Sequence, residues 1–318
     1  MSLLAVVMGF PGQNTPTVKK PLPELGLVCI TCGPEVRYRT MTLARYKQFS
    51  EEEQKSRLSE LYQSNLNMLL YALDFVSKEG WKLYRVTANL FPLSDLEDGL
   101  GKSLLFDMKD RLAEVGQKAE RLGIRVGVHP DQFVVLSSES ERVIHNSVQH
   151  LEHHGLVMDL LGLPRSSWAF MNIHGGKGGR GFKLVETIHT LSDAVKSRLT
   201  LENDEKIYSA REIFEACIAA GVPMVFDAHH HVVKEKLPSL SDSSIEQWVK
   251  LARETWPDPS WQVVHLSSGR EGLHDSRHHD LILDFPEALW DAPWIEVEAK
   301  AKETAIRGLR AALQSQEK

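Results

Sequence analysis

The sequence predicts an α/β fold, a single (β/α)8 barrel, and two observations support this prediction. Eight short apolar runs, each typical of a buried parallel strand, recur along the 318 residues and alternate with segments of helical periodicity. Such alternation requires a parallel sheet with right-handed crossovers, and eight units in this length match a closed barrel. An open doubly wound sheet is the alternative, but no GxGxxG motif follows the first run.

The apolar runs define the predicted strands. They are Leu25–Thr31, Lys82–Thr87, Ile124–His129, Ala169–His174, Leu199–Glu202, Pro223–Asp227, Gln262–Leu266 and Trp294–Glu298. Residues 1–23 are rich in proline and are predicted to form a flexible N-terminal arm. Residues 24–318 are predicted to be the barrel domain.

Helices are predicted where apolar residues fall on one helical face. They are Glu51–Lys78, Ser103–Leu122, Glu141–Leu161, Phe182–Lys196, Ala210–Ala220, Ser244–Thr255 and Ala299–Leu313. A shorter, histidine-rich helix is predicted between Leu273 and Leu289.

Composition narrows the class of protein. A net charge of −6 argues against a nucleic-acid binder with a simple basic surface, unless bound cations neutralise some carboxylates. Three cysteines imply no disulfide framework, so a cytoplasmic location is expected. A monomer is also expected. No membrane span is expected, because no stretch is long and apolar enough to cross a bilayer. A secretion signal is not expected either, because the apolar segment Met1–Phe10 lacks a basic region and is followed at once by proline and glycine.

Six of the predicted strands carry a potential metal ligand at or near their carboxyl end. These ligands are His129, His174, Glu202, Asp227, His265 and Glu298. The carboxyl ends of barrel strands all lie on one face, where the active site of such barrels is built. Six independent coincidences are harder to accept than one metal centre, and imidazole and carboxylate suit zinc, manganese or iron.

The order of the strands indicates how the ligands divide between ions. His129 and His174 precede Glu202 and are expected to share one ion with it, while Glu202 bridges to a second ion. The second ion would be held by Asp227, His265 and Glu298, which come from the three following strands. His230 and the pair His278 and Asp280 could hold a third ion.

The remaining histidines are interpreted without a metal. His229, His231 and His279 are expected to be hydrogen-bonded core or loop residues, since each stands beside a better-placed neighbour. A second group is predicted to form a solvated helix face, although two of its members share one side of the helix. This group is His145, His150, His153 and His154.

Clustered divalent ions favour the hydrolysis of a phosphate ester. The glycine-rich residues 175–180 directly follow a predicted ligand, and Lys177 in this loop could contact a phosphate. A flexible surface loop is an equally open interpretation. Arg37, Arg39 and Thr40 follow the first strand on the same face and could also contact a phosphate backbone.

Several stretches resemble the UV damage endonucleases, which nick DNA beside ultraviolet photolesions. The stretches run in the family's order from about residue 24 to residue 305, and their combination is specific although each piece is not. They include Tyr84-Arg85-Val86-Thr87, His129-Pro130-Asp131-Gln132-Phe133, Asn172-Ile173-His174-Gly175-Gly176, Leu201-Glu202-Asn203-Asp204, Phe226-Asp227-Ala228-His229-His230, His265-Leu266-Ser267-Ser268 and Glu298-Ala299-Lys300.

The resemblance implies a TIM barrel with two or three divalent ions, manganese being favoured, and damaged double-stranded DNA as substrate. It implies incision on the 5′ side of cyclobutane dimers, (6-4) photoproducts and abasic sites. It also implies that Gln132 and Phe133 probe the duplex at the lesion. The implied metal ligands are His129, His174, Glu202, Asp227, His230, His265, His278 and Glu298.

The chain departs from the family pattern at several positions. Family members often carry Tyr where Leu27 stands, Asn near Thr31, and Tyr where Phe133 stands. A lysine can precede the equivalent of His265 by two positions, where this chain has Val263. Phe133 can still wedge into a base step but cannot donate a hydroxyl hydrogen bond.

Three other functions remain open at this point. A sugar isomerase or an apurinic-site endonuclease of the same barrel class would use similar ligands. A module that binds lesions without cutting would not need an ion cluster, and the full ligand set speaks against it. We expect Glu202 to be essential to catalysis, with Lys177 and Arg39 positioning the DNA backbone.

Overall fold

The computed structural model describes residues 22–316, in which eight parallel strands close into a barrel. Each strand pairs with the next along the chain, and the last returns to pair with the first. The prediction of a (β/α)8 barrel is therefore confirmed. The strands are β1 (Glu24–Val28), β2 (Leu83–Val86), β3 (Arg125–Val128), β4 (Met171–His174), β5 (Leu199–Glu202), β6 (Met224–Asp227), β7 (Val263–Leu266) and β8 (Trp294–Val297).

Helices lie outside the barrel and cover the strands. They are α1 (Leu43–Tyr46), α2 (Glu51–Lys78), α3 (Leu100–Asp107), α4 (Lys109–Leu122), α5 (Glu141–Leu160), α6 (Gly181–Thr190), α7 (Asp193–Lys196), α8 (Ala210–Ala220), α9 (Ala228–Glu235), α10 (Ser243–Glu254) and α11 (Lys302–Gln316). Two short 3-10 helices occupy Pro259–Trp261 and Glu287–Asp291. The predicted N-terminal arm lies outside the described residues except for its last two.

The structure corrects three of the predicted helices. The segment Ser103–Leu122 is divided at Met108 into α3 and α4, and Phe182–Lys196 is divided after Thr190 into α6 and α7. The histidine-rich helix between Leu273 and Leu289 is wrong, because most of this segment is a loop. Asp275 accepts hydrogen bonds from the backbone N–H groups of Glu271 and Arg277, so it competes with helical hydrogen bonding there.

The amino end of the barrel is closed by a buried cation among aromatic rings. Arg125, the first residue of β3, has no exposed surface, and its guanidinium donates to the carbonyl oxygens of Trp168, Trp261 and Ser167 at 2.7–2.8 Å. Four rings surround it with centroids 5.0–5.4 Å from its Cζ atom, which is cation–π geometry. Burial lowers the pKa of Arg125 to about 9.

Close packing inside the barrel also depends on one glycine. The ring of Phe170 occupies the space that a side chain at Gly127 would need, because a Cβ there would lie 2.3 Å from the ring. Among residues 22–316, no helix is both long enough and apolar enough to cross a bilayer.

Candidate metal centre at the mouth of the barrel

The carboxyl ends of β3 to β8 bring the predicted ligands together. Three overlapping groups form, and within each group one ligand atom per residue lies within 4.8 Å of the others. Glu202 belongs to the first two groups and Asp227 to the last two. The groups are His129, His174 and Glu202; Glu202, Asp227 and His230; and Asp227, His265 and Glu298.

Strand register explains this convergence. His174 on β4 lies opposite Glu202 on β5, and Asp227 on β6 lies opposite His265 on β7. Neighbouring residues in parallel register point to the same side of the sheet, so each pair projects into the mouth of the barrel together. The barrel thus aligns ligands that are up to about 170 positions apart in the sequence.

Glu202 is the central residue of the cluster. It is 1% exposed, and its Oε1 atom lies 3.1 Å from His265 Nδ1 and 3.4 Å from His230 Nδ1. Its Oε2 atom lies 3.5 Å from His129 Nε2 and accepts a hydrogen bond of 2.5 Å from the Asn172 amide. The two oxygens of Glu202 therefore face different ligand sets, as a bridging carboxylate requires.

Asp227 is held by the start of the next helix. Its Oδ1 atom accepts a 2.6 Å hydrogen bond from the backbone N–H of His230, which makes Asp227 the N-cap of α9. The capping turn brings the His230 ring back toward Glu202. Asn203 fixes the Asp227 backbone through two hydrogen bonds, of 2.9 and 3.0 Å.

A buried arginine and a second glutamate support the other side of the cluster. Arg85 on β2 lies 2.6 Å from Glu298 Oε1 and 3.0 Å from Glu296 Oε2. The Nε2 atom of His265 lies 2.7 Å from Glu296 Oε2, while its Nδ1 atom faces Glu202. Carboxylates on the far nitrogen of an imidazole ligand commonly orient the ring toward a metal.

The charges of the cluster reinforce one another. Burial by itself would raise the pKa of Glu202, but His265 and His174 hold it well below its usual range. Burial likewise opposes ionisation of Glu298, yet Arg85 and His265 lower its pKa. Both carboxylates are therefore ionised, which is the form that binds cations.

Buried polar atoms without partners show that these residues fit a metal ion. The Asp227 Oδ2 and His174 Nδ1 atoms are buried and have no hydrogen-bond partner among residues 22–316. Buried polar atoms nearly always have hydrogen-bond partners in proteins, so unpaired buried atoms of this kind indicate a missing ligand. The donor set contains only imidazole and carboxylate, which suits manganese, iron or zinc.

The structure places the predicted third-ion residues differently. His230 joins Glu202 and Asp227 rather than His278. The Nε2 atom of His278 lies 3.8 Å from Glu298 Oε2, and its ring centroid lies 6.4 Å from that of His230, so it stands at the edge of the cluster. Asp280 is exposed and is in none of the three groups.

The predicted DNA-contacting residues lie on loops at the surface. Gln132 and Phe133 are exposed, and Phe133 keeps 61% of its surface accessible. Lys177 and Arg39 are also exposed. Arg37, by contrast, directs its guanidinium to the carbonyl oxygens of Thr31 and Cys32, at 2.6 Å for Cys32.

The glycine-rich loop has an anchored backbone. Lys177 donates its backbone N–H to Ser137 Oγ at 2.6 Å, and its carbonyl accepts from the Tyr208 hydroxyl at 2.7 Å. Arg180 also binds the Ser137 carbonyl, at 2.7 Å. These contacts indicate an ordered loop rather than a flexible one. The side chain of Lys177 stays exposed at the surface.

Sequence reasoning missed Arg85 and Glu296. Glu296 stands two positions before Glu298, so strand alternation places both on the same face, and this was the available signal. His229 is hydrogen-bonded as predicted, at 2.9 Å to Ser267 Oγ. The solvated face predicted for the histidines of α5 is wrong for His154, which is 6% exposed.

Comparisons with known proteins identify a family and several relatives of this chain. Residues 23–318 match the family model described as UV-endonuclease UvdE. A UV DNA damage endonuclease of Deinococcus radiodurans is 50% identical over 290 residues, which cover 91% of this chain and 95% of that protein. A UV DNA damage endonuclease of a Nostoc species is 48% identical over 298 residues, covering 94% and 92%.

Solved structures show the same fold. The crystal structure of SacUVDE aligns with a TM-score of 0.75 at 23% identity, covering 93% of this chain and 100% of that one. Endonuclease IV from Thermus thermophilus aligns with a TM-score of 0.55 at 16% identity, covering 92% and 100%. At these identities the likeness is one of barrel architecture.

Proposed function

The chain belongs to the UV-endonuclease UvdE family, and from this premise we propose that it is a metal-dependent DNA repair endonuclease. Its proposed substrate is duplex DNA that carries an ultraviolet photolesion, a cyclobutane dimer or (6-4) photoproduct, or an abasic site. The proposed reaction is hydrolysis of the phosphodiester bond 5′ to the lesion. The observation that carries the proposal is the chain of ligand groups linked through Glu202 and Asp227.

We propose that two or three divalent ions, with manganese preferred, bind to the eight residues of the barrel mouth. When bound, such ions supply an activated water as nucleophile and neutralise charge on the leaving oxygen. Glu202 would contribute to the binding of two ions because its two oxygens face different groups of ligands. Arg85 and Glu296 would keep His265 and Glu298 oriented.

Substrate recognition is proposed for the exposed loop residues. A photolesion weakens stacking, so the duplex is cheaper to bend and unstack at that point. Gln132 and Phe133 would fill the space left by displaced bases, since both are exposed beside the mouth loop that begins at His129. Lys177 and Arg39 would contact phosphates and set the register of the strand. The expectations of a monomer and of a cytoplasmic location stay predictions.

Nicking of irradiated plasmid tests the proposal. The purified protein with manganese should nick irradiated supercoiled plasmid and leave undamaged plasmid intact. Glu202→Gln should abolish nicking while retaining binding to lesion-containing duplex, because it removes charge from two ligand groups and leaves the exposed loops unchanged. Glu212→Gln, an exposed residue of the α8 capping box, is the matched control.

Two results would overturn the proposal. Irradiated plasmid that stays intact, together with interconversion of an aldose and a ketose, would support an isomerase instead. Undiminished nicking by Glu202→Gln would remove this carboxylate from the mechanism.

A further inference from the structure

Helix α2 carries one buried amide on the face that packs against the barrel. Asn65 is 1% exposed, and its buried neighbours on the helix include Leu61, Tyr62 and Leu66. Asparagine is a weak helix former, and burying an amide without hydrogen-bond partners is unfavourable. The proposed metal ligands and DNA contacts do not include this residue, so its burial has to be explained by other contacts.

The Asn65 amide binds the backbone of two loops, which follow the carboxyl ends of β1 and β2. Its Oδ1 atom accepts from the backbone N–H of Arg39 at 2.8 Å, and its Nδ2 atom donates to the carbonyl oxygen of the same residue at 2.9 Å. The Nδ2 atom also donates to the Leu90 carbonyl oxygen, at 2.8 Å. Both donor hydrogens and one acceptor position are therefore used, which offsets the cost of burying the side chain.

Arg39 is held at its backbone, whereas its side chain is exposed. The preceding residue is fixed as well, because the Tyr38 hydroxyl lies 2.7 Å from the Tyr84 hydroxyl of β2. Among residues 22–316, no carboxylate forms an ion pair with the Arg39 guanidinium. The loop after β1 thus presents an exposed cation from a fixed position on the backbone.

The loop after β2 has a second anchor on the same face of the helix. The Tyr62 hydroxyl, three residues before Asn65, donates to the Pro92 carbonyl oxygen at 3.0 Å. Removal of the Asn65 amide leaves this anchor in place but frees both backbone groups of Arg39. The effect of the removal should therefore fall chiefly on Arg39.

We propose that Asn65 is a positioning residue for DNA binding, which holds the Arg39 backbone so that the guanidinium meets a phosphate of the bound duplex. The inference rests on the proposed function, in which Arg39 contacts the DNA backbone. An ordered loop makes this contact without the entropy cost of fixing the chain on binding. Asn65 itself is buried and acts only through Arg39.

The salt dependence of DNA binding measures this contact. Affinity for a fluorescent duplex with one cyclobutane dimer is measured by anisotropy at several salt concentrations, in the Glu202→Gln background to prevent cutting. Arg39→Ala should reduce the slope of log affinity against log salt by about 0.9, the value of one phosphate contact. Asn65→Leu, which removes the amide at similar volume, should reduce the slope by about half of this or more. The double variant should match Arg39→Ala alone, because both changes remove the same contact.

Tyr62→Phe in the same background is the matched control. It removes a buried hydrogen bond from the same helix face but leaves the Arg39 backbone held, so it should keep the parent's slope. Amide hydrogen exchange at Arg39 should be faster in Asn65→Leu and unchanged in Tyr62→Phe. If Asn65→Leu fails to fold, as judged by circular dichroism, Asn65→Ala replaces it, since water can enter the vacated space and pair the freed backbone groups.

The possible outcomes separate this proposal from the proposed function. A folded Asn65 variant that keeps the parent's slope, while Arg39→Ala reduces it, overturns the proposal and leaves Asn65 with a structural role alone. An unchanged slope in Arg39→Ala overturns it too, because the phosphate contact is then absent. If the slopes change as expected but the parent does not nick irradiated plasmid, the proposed cutting fails and the positioning role stands.

Discussion

Glu296 provides the sharpest test of how the barrel interior supports the metal centre. Its carboxylate is fully buried, lies 3.0 Å from Arg85, and lies 2.7 Å from the Nε2 atom of His265. Glu296→Gln keeps the shape of the side chain and removes its charge. The variant therefore isolates the electrostatic contribution of this carboxylate from its packing.

The expected magnitude follows from these contacts. Removing one partner of a buried ion pair typically costs about 3–5 kcal/mol, but Arg85 keeps Glu298 at 2.6 Å and the amide oxygen can still accept. We therefore expect a loss of about 2–3 kcal/mol in the free energy of unfolding. Because His265 loses a charged partner on its far nitrogen, metal affinity should fall by about 10- to 100-fold.

Urea unfolding and metal retention during dialysis against a chelator measure the two effects. Glu303→Gln is the matched control, since Glu303 is also a buried glutamate but accepts hydrogen bonds from Cys32 and Gly33 outside the cluster. It should lose stability without losing metal affinity. If Glu296→Gln matches the parent in both measurements, the supporting role assigned to Glu296 is refuted.

Three further predictions address other parts of the molecule. Gln132→Ala with Phe133→Ala should lower affinity for lesion-containing duplex, measured by fluorescence anisotropy, more than it lowers metal content, because both side chains project into solvent. Arg125→Met should cost about 3 kcal/mol in urea unfolding because three carbonyl oxygens, one of them buried, lose their donor, while nicking at 25 °C should persist because the opposite face carries the proposed site. Asp159→Asn should cost about 1 kcal/mol at neutral pH because Asp159 lies 2.8 Å from the buried guanidinium of Arg198.

The aspartate prediction has a defined pH dependence. Burial would raise the pKa of Asp159, but hydrogen bonds from Arg165 and Arg198 lower it below its ordinary value. A lowered folded-state pKa stabilises the protein above the unfolded value, near 4, and that stability is lost as the pH falls through the folded value. The difference between parent and Asp159→Asn should therefore shrink below about pH 4.

Controls and contrary outcomes differ among these variants. Gln63→Ala with Phe106→Ala removes an exposed amide and an exposed ring from the outer helices and should leave lesion affinity unchanged. Equal lesion binding by the loop variant and the parent would count against probing. Loss of nicking by a folded Arg125→Met would show that the two ends of the barrel are coupled, and a constant Asp159→Asn difference from pH 7 to pH 3 would rule out the ion pair as its cause.

Much of the barrel and its ligand set was predictable because both depend on local patterns. An apolar run that ends at His174 or Glu202 carries the strand and the ligand in the same few residues. The division of the candidate ligands into three groups was harder to predict from the sequence. The grouping of His230 with Glu202 depends on the turn capped by Asp227, which reverses the direction of the side chain.

Other features depend on contacts between distant segments. Arg85 and Glu296 are separated by 211 positions, and their pairing becomes evident only when the barrel closes. The burial of His154 could not be read from the periodicity of α5, because it depends on distant residues from β2 and the loop that follows it, which line a cavity together with His154. The division of the α3–α4 segment at Met108 lacks any proline or glycine signal at that position.

Within residues 22–316, the buried guanidinium and rings at the amino end of the barrel leave the carboxyl end as the face from which the candidate metal site is reached. Arg125 and its surrounding rings place a positive charge and apolar surfaces at that end, and both disfavour the presence of a divalent ion there. Under the proposed function, ions, water and DNA would then share the opening at the carboxyl end. A duplex bound there would cover this opening, so ions would exchange with solvent between rounds of DNA binding rather than during them.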